Sequence, residues 1–260
     1  MTSGETTWRG HWRVFAVALF AALSCAAGLF SLPPLDRDES RFAQATAQML
    51  ESGDFVTIKF QADERNKKPV GIHWLQAASV SAFSSVEARE IWAYRLPSFF
   101  GAILAALFTY SIGARLFGPQ TGFFAALLLS SAPALIGEAT IAKTDAMLLA
   151  SVTGAQWALV SIIAATIENR KPPLIAIVAF WFAIGAGMLI KGPIILIVIG
   201  ATLALMIARG AQFELLSAMK PLLGVAILLL MVAPWAVAVN LATDGRFFAE
   251  AIRSPVPCLR

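Results

Sequence analysis

Seven stretches of this chain contain no Asp, Glu, Lys or Arg: residues 14–32, 96–114, 116–137, 146–167, 172–190, 192–208 and 221–243. They are 17 to 23 residues long. At about 1.5 Å of rise per residue a helix of that length reaches roughly 25 to 35 Å, the thickness of a bilayer's hydrocarbon core. With 58% hydrophobic and only 14% charged residues, the chain has too little polar surface to cover a soluble fold. The expectation is an all-α polytopic membrane protein with about seven transmembrane helices. The basic flank and apolar run at the start imitate a signal peptide, but the run is long and no good cleavage site follows, so it reads as an uncleaved first span.

The net charge of +4 does not point to nucleic acid, because the basic residues stand singly between apolar runs. They report topology instead. With seven spans and a cytoplasmic N-terminus, Arg9, Arg13, Arg115, Arg170, Lys171, Arg209 and Lys220 fall inside, while the short outer turns hold only Lys143 and Lys191. Residues 69–86 are also free of formal charge, but they carry His73, Gln76 and four serines, and counting them as a span would reverse every later loop and destroy this bias. They are expected to lie as a helix at the outer interface, with Trp74 at headgroup depth. Cys25 and Cys258 suggest neither a disulfide framework nor a metal site.

Residues 33–90 then form one outer loop carrying nine of the sixteen acidic and seven of the twenty basic residues. Its start, DRDESR, has two readings. Asp36 as N-cap with Glu39 three positions later fits a capping box for an amphipathic helix through Phe42, Ala45, Met49 and Leu50, ended by Gly53. Asp38 is left over and free to do chemistry. Lys143 and Asp145 stand at the end of a span, where a boundary anchor is the simpler role. Lys191 separates two apolar runs, and since a lysine at the centre of a lipid-facing helix costs about 2.5 to 3.5 kcal/mol, the chain is expected to turn there, helped by Gly192 and Pro193. Lys67 and Lys68 can attract anionic lipid. The seven-span topology puts Asp38, Lys68, His73, Lys143, Asp145 and Lys191 on one outer face. Carboxylates beside lysines suit a reaction in which a nucleophile loses a proton and a phosphate leaves.

RDESRFAQATAQMLESGDFV, NKKPVGIHWLQA, YRLPSFFGAILAAL, KTDAMLLA, KGP and APW, in that order, resemble the membrane-embedded GT-C glycosyltransferases, the group of the protein O-mannosyltransferases and the lipid A aminoarabinose transferase (glycosyltransferase 39/83-like). The resemblance covers roughly residues 10 to 250. It implies a bacterial inner-membrane enzyme that moves a sugar from a polyprenyl-phosphate-linked donor to a glycolipid or protein acceptor at the periplasmic face, with inversion. By that resemblance Asp38 is the catalytic carboxylate and Asp145 the second acid. Lys68 faces phosphate, Lys143 and Lys191 are further phosphate contacts, and Glu39, Arg41 and His73 line the substrate site. No cofactor and no nucleic-acid partner is implied. A divalent metal stays open, because where relatives commonly have an acid before the Lys-Pro this chain has Lys67.

The chain reads as C-terminally truncated relative to that group. Residues 1–244 are expected to form the transmembrane domain and 245–260 a short disordered tail. The alternatives are a transporter or permease, since polar groups in a membrane cavity also mark substrate pathways, and an inactive fragment. No two halves of the chain resemble each other, which speaks against the transporter.

Overall fold

The structure, a computed structural model, describes residues 5–34, 36–65, 67–210 and 214–253. Twelve helices account for most of them: α1 (Glu5–Ala26), α2 (Arg37–Ser52), α3 (Gly71–Phe83), α4 (Ile91–Phe117), α5 (Pro119–Ser130), α6 (Pro133–Ala139), α7 (Asp145–Ile167), α8 (Leu174–Lys191), α9 (Ile194–Ala208), α10 (Glu214–Ala218), α11 (Pro221–Ala242) and α12 (Arg246–Arg253). Between α2 and α3 lies a hairpin of two two-residue strands, β1 (Lys59–Phe60) and β2 (Asp63–Glu64), pairing Lys59 with Glu64 and Phe60 with Asp63. The all-α expectation missed it.

Four helices, α4, α7, α8 and α11, are long and apolar enough to cross a membrane. The stretch 116–137 is not one straight helix: α5 and α6 meet at 63°, and only taken together are they long and apolar enough to count as a fifth candidate span, broken or re-entrant. Pro133 explains the break, since it has no N–H to donate back to the preceding turn and it drives Ala132 into an extended conformation. The stretches 14–32 and 192–208 lie in shorter apolar helices, residues 11–26 and 194–208.

Helix α4 is the centre of the bundle, packed against α1, α3, α5, α6 and α7, and α7 packs in turn on α8. Lipid chains are as apolar as leucine, so helices gain little by hiding leucine from them and associate where small residues let backbones approach. Ala102, Ala105 and Ala106 of α4 and Ala150, Ala155 and Ala158 of α7 are buried accordingly. Leu128, Ile167, Ile175, Leu222, Leu230 and Leu241 are exposed, as lipid-facing side chains are in a protein without its bilayer.

The expected amphipathic helix is α2, with Phe42, Ala45 and Met49 buried and Gly53 (φ +70°) closing it by an N–H bond to the Met49 carbonyl at 3.0 Å. The expected helix in 69–86 is α3. The chain does turn at Lys191, where α8 ends and Gly192 takes φ +75° before Pro193 leads into α9. One expectation is corrected. Residues 246–253 are not a loose tail but α12, whose buried Phe247 packs edge-on against Trp235 of α11 at 5.2 Å between ring centres. Residues 254–260 of the expected tail lie outside the described residues.

Candidate active site

The ends of α2, α4, α7 and α8 bring charge together, and the first element of that assembly is structural. Arg95, near the start of α4, is buried and donates from Nε and Nη2 to the two oxygens of buried Glu39 on α2 (2.7 and 3.1 Å). Its Nη1 donates to the carbonyls of Gly28, Leu29 and Leu32 (3.3, 3.1 and 2.8 Å), and Nη2 to that of Pro33 (3.3 Å). Glu39 Oε1 also accepts the Ala142 amide at 3.0 Å. One ion pair therefore fixes the turn after α1, helix α2, and the 140–145 turn that carries Lys143 and Asp145. Glu39 has no free oxygen for a substrate, so its expected binding role is corrected. It does not complete a capping box either. Asp36 alone caps α2, accepting the Asp38 amide at 2.7 Å.

His73 is corrected likewise. It is buried, stacked on Phe42 at 5.3 Å, and hydrogen-bonded to Thr46, which also bonds Gln76. Thr46 Oγ1 donates to Gln76 Oε1 at 2.8 Å, so in this arrangement His73 donates from Nδ1 to Thr46 Oγ1 at 2.8 Å. Burial, followed by the charges of Arg65 and Lys68, pushes its pKa down to about 3, so the ring is neutral.

The remaining expected residues do come together. Lys143 pairs with Asp36, and Lys191 at the end of α8 pairs with Asp145 in the first turn of α7. Both Lys191 and Asp145 also sit at the helix ends whose partial charges favour them. Asp38 is half-exposed, with Arg41 Nη1 at 3.5 Å and Arg65 Nη2 at 3.7 Å from Oδ1. Asp36 is held below the usual carboxylate range by the hydrogen bond from Lys143 and then by that from the Asp38 amide. For Lys143, burial acts against the charged form, but the bond to Asp36 outweighs it and the pKa is raised.

Lys68 is different. Among the described residues it makes no ion pair; its ammonium lies 4.8 Å above the Phe42 ring, partly buried. Burial, and then the neighbouring charge of Lys191, pushes its pKa down, with Asp145 and Asp38 acting in the opposite sense. The closeness of Lys68 to Lys191 follows from Gly71, since a β-carbon there would lie 2.6 Å from the Leu189 carbonyl oxygen; only glycine lets α3 start against the end of α8.

Two residues were absent from the sequence reading. Arg65, just after β2, places its guanidinium 4.8 Å from the centre of the Phe42 ring and keeps a buried Nη1 without a hydrogen-bond partner. Glu138 of α6 lines a cavity of about 260 Å³ with Asp145, walled by Leu129, Ala132, Leu135, Ala146 and Leu149. Its Oε2 is buried and has no hydrogen-bond partner. A second cavity, of about 280 Å³ between α3 and α4, is apolar apart from Ser79 and includes Leu75, Phe83, Leu96, Phe100 and Met147. Among the described residues no three His, Cys, Asp or Glu side chains are grouped so as to hold a metal ion.

A bundle of apolar helices that gathers lysines, arginines and carboxylates at the ends of α2, α4, α7 and α8 is the arrangement of an integral membrane protein with a charged cluster at those helix ends. Residues 67–237 match the family model described as dolichyl-phosphate-mannose-protein mannosyltransferase, and the chain belongs to that GT-C glycosyltransferase family. It is 29% identical over 243 residues to the undecaprenyl phosphate-alpha-4-amino-4-deoxy-L-arabinose arabinosyl transferase of Pseudomonas paraeruginosa, covering 88% of this chain and 42% of that protein. To a protein of the same description from Pseudomonas aeruginosa it is 30% identical over 236 residues, 87% of this chain and 42% of that one. Its fold is similar to the crystal structure of ArnT from Cupriavidus metallidurans bound to undecaprenyl phosphate, with a TM-score of 0.77 at 23% identity over 96% of this chain and 44% of that chain. The chain thus spans less than half the length of the relatives it matches.

Proposed function

We propose that this chain carries the donor-phosphate side and the acidic side of a glycosyltransferase site that uses a polyprenyl-phosphate-linked sugar. The observation that carries this reading is Lys68: a partly buried cation with no ion-pair partner among the described residues, held beside a second lysine, favours an incoming anion. A lipid phosphate supplies that anion, with Lys191 and Arg65 within reach of the same place. The apolar cavity between α3 and α4 suits the polyprenyl chain.

In this mechanism the lysines neutralise the charge that builds on the phosphate as its bond to the anomeric carbon breaks. Asp38 orients the acceptor or takes its proton, Asp145 assists, and attack from the face opposite the phosphate inverts the anomeric centre. The relatives named above act in their own descriptions on an undecaprenyl phosphate-linked aminopentose, which makes an aminopentose the first sugar to test, with a glycolipid or a protein as acceptor.

The site lies, in this reading, at the periplasmic face of the inner membrane in a seven-span topology, with the N-terminus in the cytoplasm and α2 and α3 at the outer interface. Arg95 and Asp145 begin α4 and α7 and Lys191 ends α8, whereas Arg115, Arg170 and Lys171 stand at the opposite ends of the same three helices. Positive charge on the far side is what a cytoplasmic face requires.

The test is binding of undecaprenyl phosphate to the purified protein in detergent, followed by native mass spectrometry. Lys68→Ala is expected to weaken binding about tenfold or more, the loss of a charge-assisted phosphate contact. Equal binding by both proteins would overturn the assignment.

A further inference from the structure

The ionic groups around the site pair off one by one, and two remain. Asp36 has Lys143, Asp145 has Lys191, Asp38 has Arg41 and Arg65, and Glu39 has Arg95. The unpaired cation is Lys68. The unpaired anion is Glu138: among the described residues no Lys, Arg or His nitrogen lies within ion-pair distance of it, and Oε2 is buried with no hydrogen-bond partner. Both are coupled to the same pair, since Lys191 and Asp145 act electrostatically on Lys68 and on Glu138 alike. A site that leaves one cation and one anion free on either flank of a central ion pair is complementary to a ligand that carries one of each.

Resting on the reading of Lys68 as the phosphate contact, we infer that Glu138 is a specificity residue, and that it receives a protonated amino group on the transferred sugar. The cavity that Glu138 shares with Asp145 supports this. Apart from these two carboxylates its lining is apolar, and Asp145 is already neutralised by Lys191. Lys143 and Lys191 act on Glu138 only at a distance, so the cavity holds one carboxylate without an ion pair among the described residues and offers no donor of its own to its buried Oε2. A buried carboxylate oxygen without a partner is costly, and a hydroxyl would answer its hydrogen bond but not its charge; an ammonium answers both. The same bareness gives discrimination, because a sugar lacking the amine leaves Glu138 as it is in the empty site.

The inference is tested with two synthetic probes, polyprenyl-phosphate 4-amino-4-deoxyarabinose and polyprenyl-phosphate arabinose, which differ only in the amine, and with polyprenyl phosphate itself. Wild-type protein in detergent is expected to bind the amino probe about tenfold or more tighter than the hydroxy probe, the range of a charge-assisted contact. In Glu138→Gln, which keeps the side chain's shape, the two affinities converge while polyprenyl phosphate binds as in wild type. Equal affinity of the wild type for both sugar probes overturns the inference without any variant, and so does discrimination that survives in Glu138→Gln. If polyprenyl phosphate binds in those cases, the phosphate reading stands alone. If none of the three lipids binds, both fall together.

Discussion

Arg95 and Glu39, 56 residues apart in sequence, meet in a two-pronged ion pair from which water is excluded. Neither group faces a cavity. Their work is to hold four backbone carbonyls and one amide in the positions from which Asp38, Lys143 and Asp145 project.

Removing one partner leaves a buried charge uncompensated, which costs about 3 to 5 kcal/mol. Glu39→Leu and Arg95→Met are each expected to lower the unfolding midpoint in detergent strongly, and the double variant less than the sum of the two, because it removes the orphaned charge. Additive losses, or single variants as stable as wild type, would contradict the assigned role.

The pH dependence of stability isolates His73. The unfolded chain takes up a proton near pH 6.5 that the folded protein refuses until about pH 3, so the unfolded state binds more protons in that window and stability falls as pH drops through it. The slope from this one residue approaches about 1.4 kcal/mol per pH unit. His73→Gln should flatten denaturation midpoints between pH 6 and 4. An unchanged slope would show that the ring is charged or exposed.

Asp36 and Asp38 separate by charge and geometry. Asp36→Asn keeps the cap on the Asp38 amide but loses the ion pair with Lys143; stability due to that pair is present above the ordinary carboxylate pKa of 3.8 and lost below it, so the variant should lack the wild type's acid-side decline from this residue. Asp38→Asn keeps the shape and removes the base. Turnover in a sugar-transfer assay is expected to fall about 10²-fold or more if the acceptor is a hydroxyl, and less, with no pH dependence, if the acceptor is a phosphate already ionised at pH 7. Full activity in Asp38→Asn would reduce this carboxylate to a helix-start charge.

Sidedness can be read with cysteines. In intact cells an impermeant thiol reagent is expected to label Asp63→Cys, in the hairpin, and to reach Asn169→Cys only after permeabilisation. The reverse pattern would place the charged site in the cytoplasm.

The contact of Phe247 with Trp235 gives a check on α12. Phe247→Ala should destabilise the protein by about 3 kcal/mol, measured by thermal unfolding in detergent, if the helix is a packed part of the fold. No effect would restore the loose tail.

Local chemistry was legible in the sequence, and long-range pairing was not. The N-cap at Asp36, the glycine end of α2, and the turn at Lys191 each follow from a few adjacent residues with a conformational preference. The break at Pro133 and the amphipathic pattern of RFFAEAIR are signals of the same local kind, masked by the charge-free length of 116–137 and by the prolines that follow residue 253. The fate of Glu39 was hidden, because a carboxylate at the third position of a helix looks alike whether it bonds its own cap or an arginine 56 residues away. His73 was misread for a related reason: its partners Thr46 and Gln76 are ordinary residues whose convergence only the packing of α2 on α3 creates. Arg65 and Glu138 belong to no motif, and only the missing hydrogen bonds of Arg65 Nη1 and Glu138 Oε2 mark them out.

The ion pair of Arg95 and Glu39 also imposes an order in time. Glu39 is made before Arg95, and its third bond, from the Ala142 amide, comes from a part of the chain made later still. Until Arg95 has been made, the helix that bears Asp38 carries an acid without the partner that buries it. The complete set of bonds on Glu39 needs α2, α4 and the turn ahead of α7 together, so a chain cut before Ala142 lacks part of the frame from which Asp38 projects.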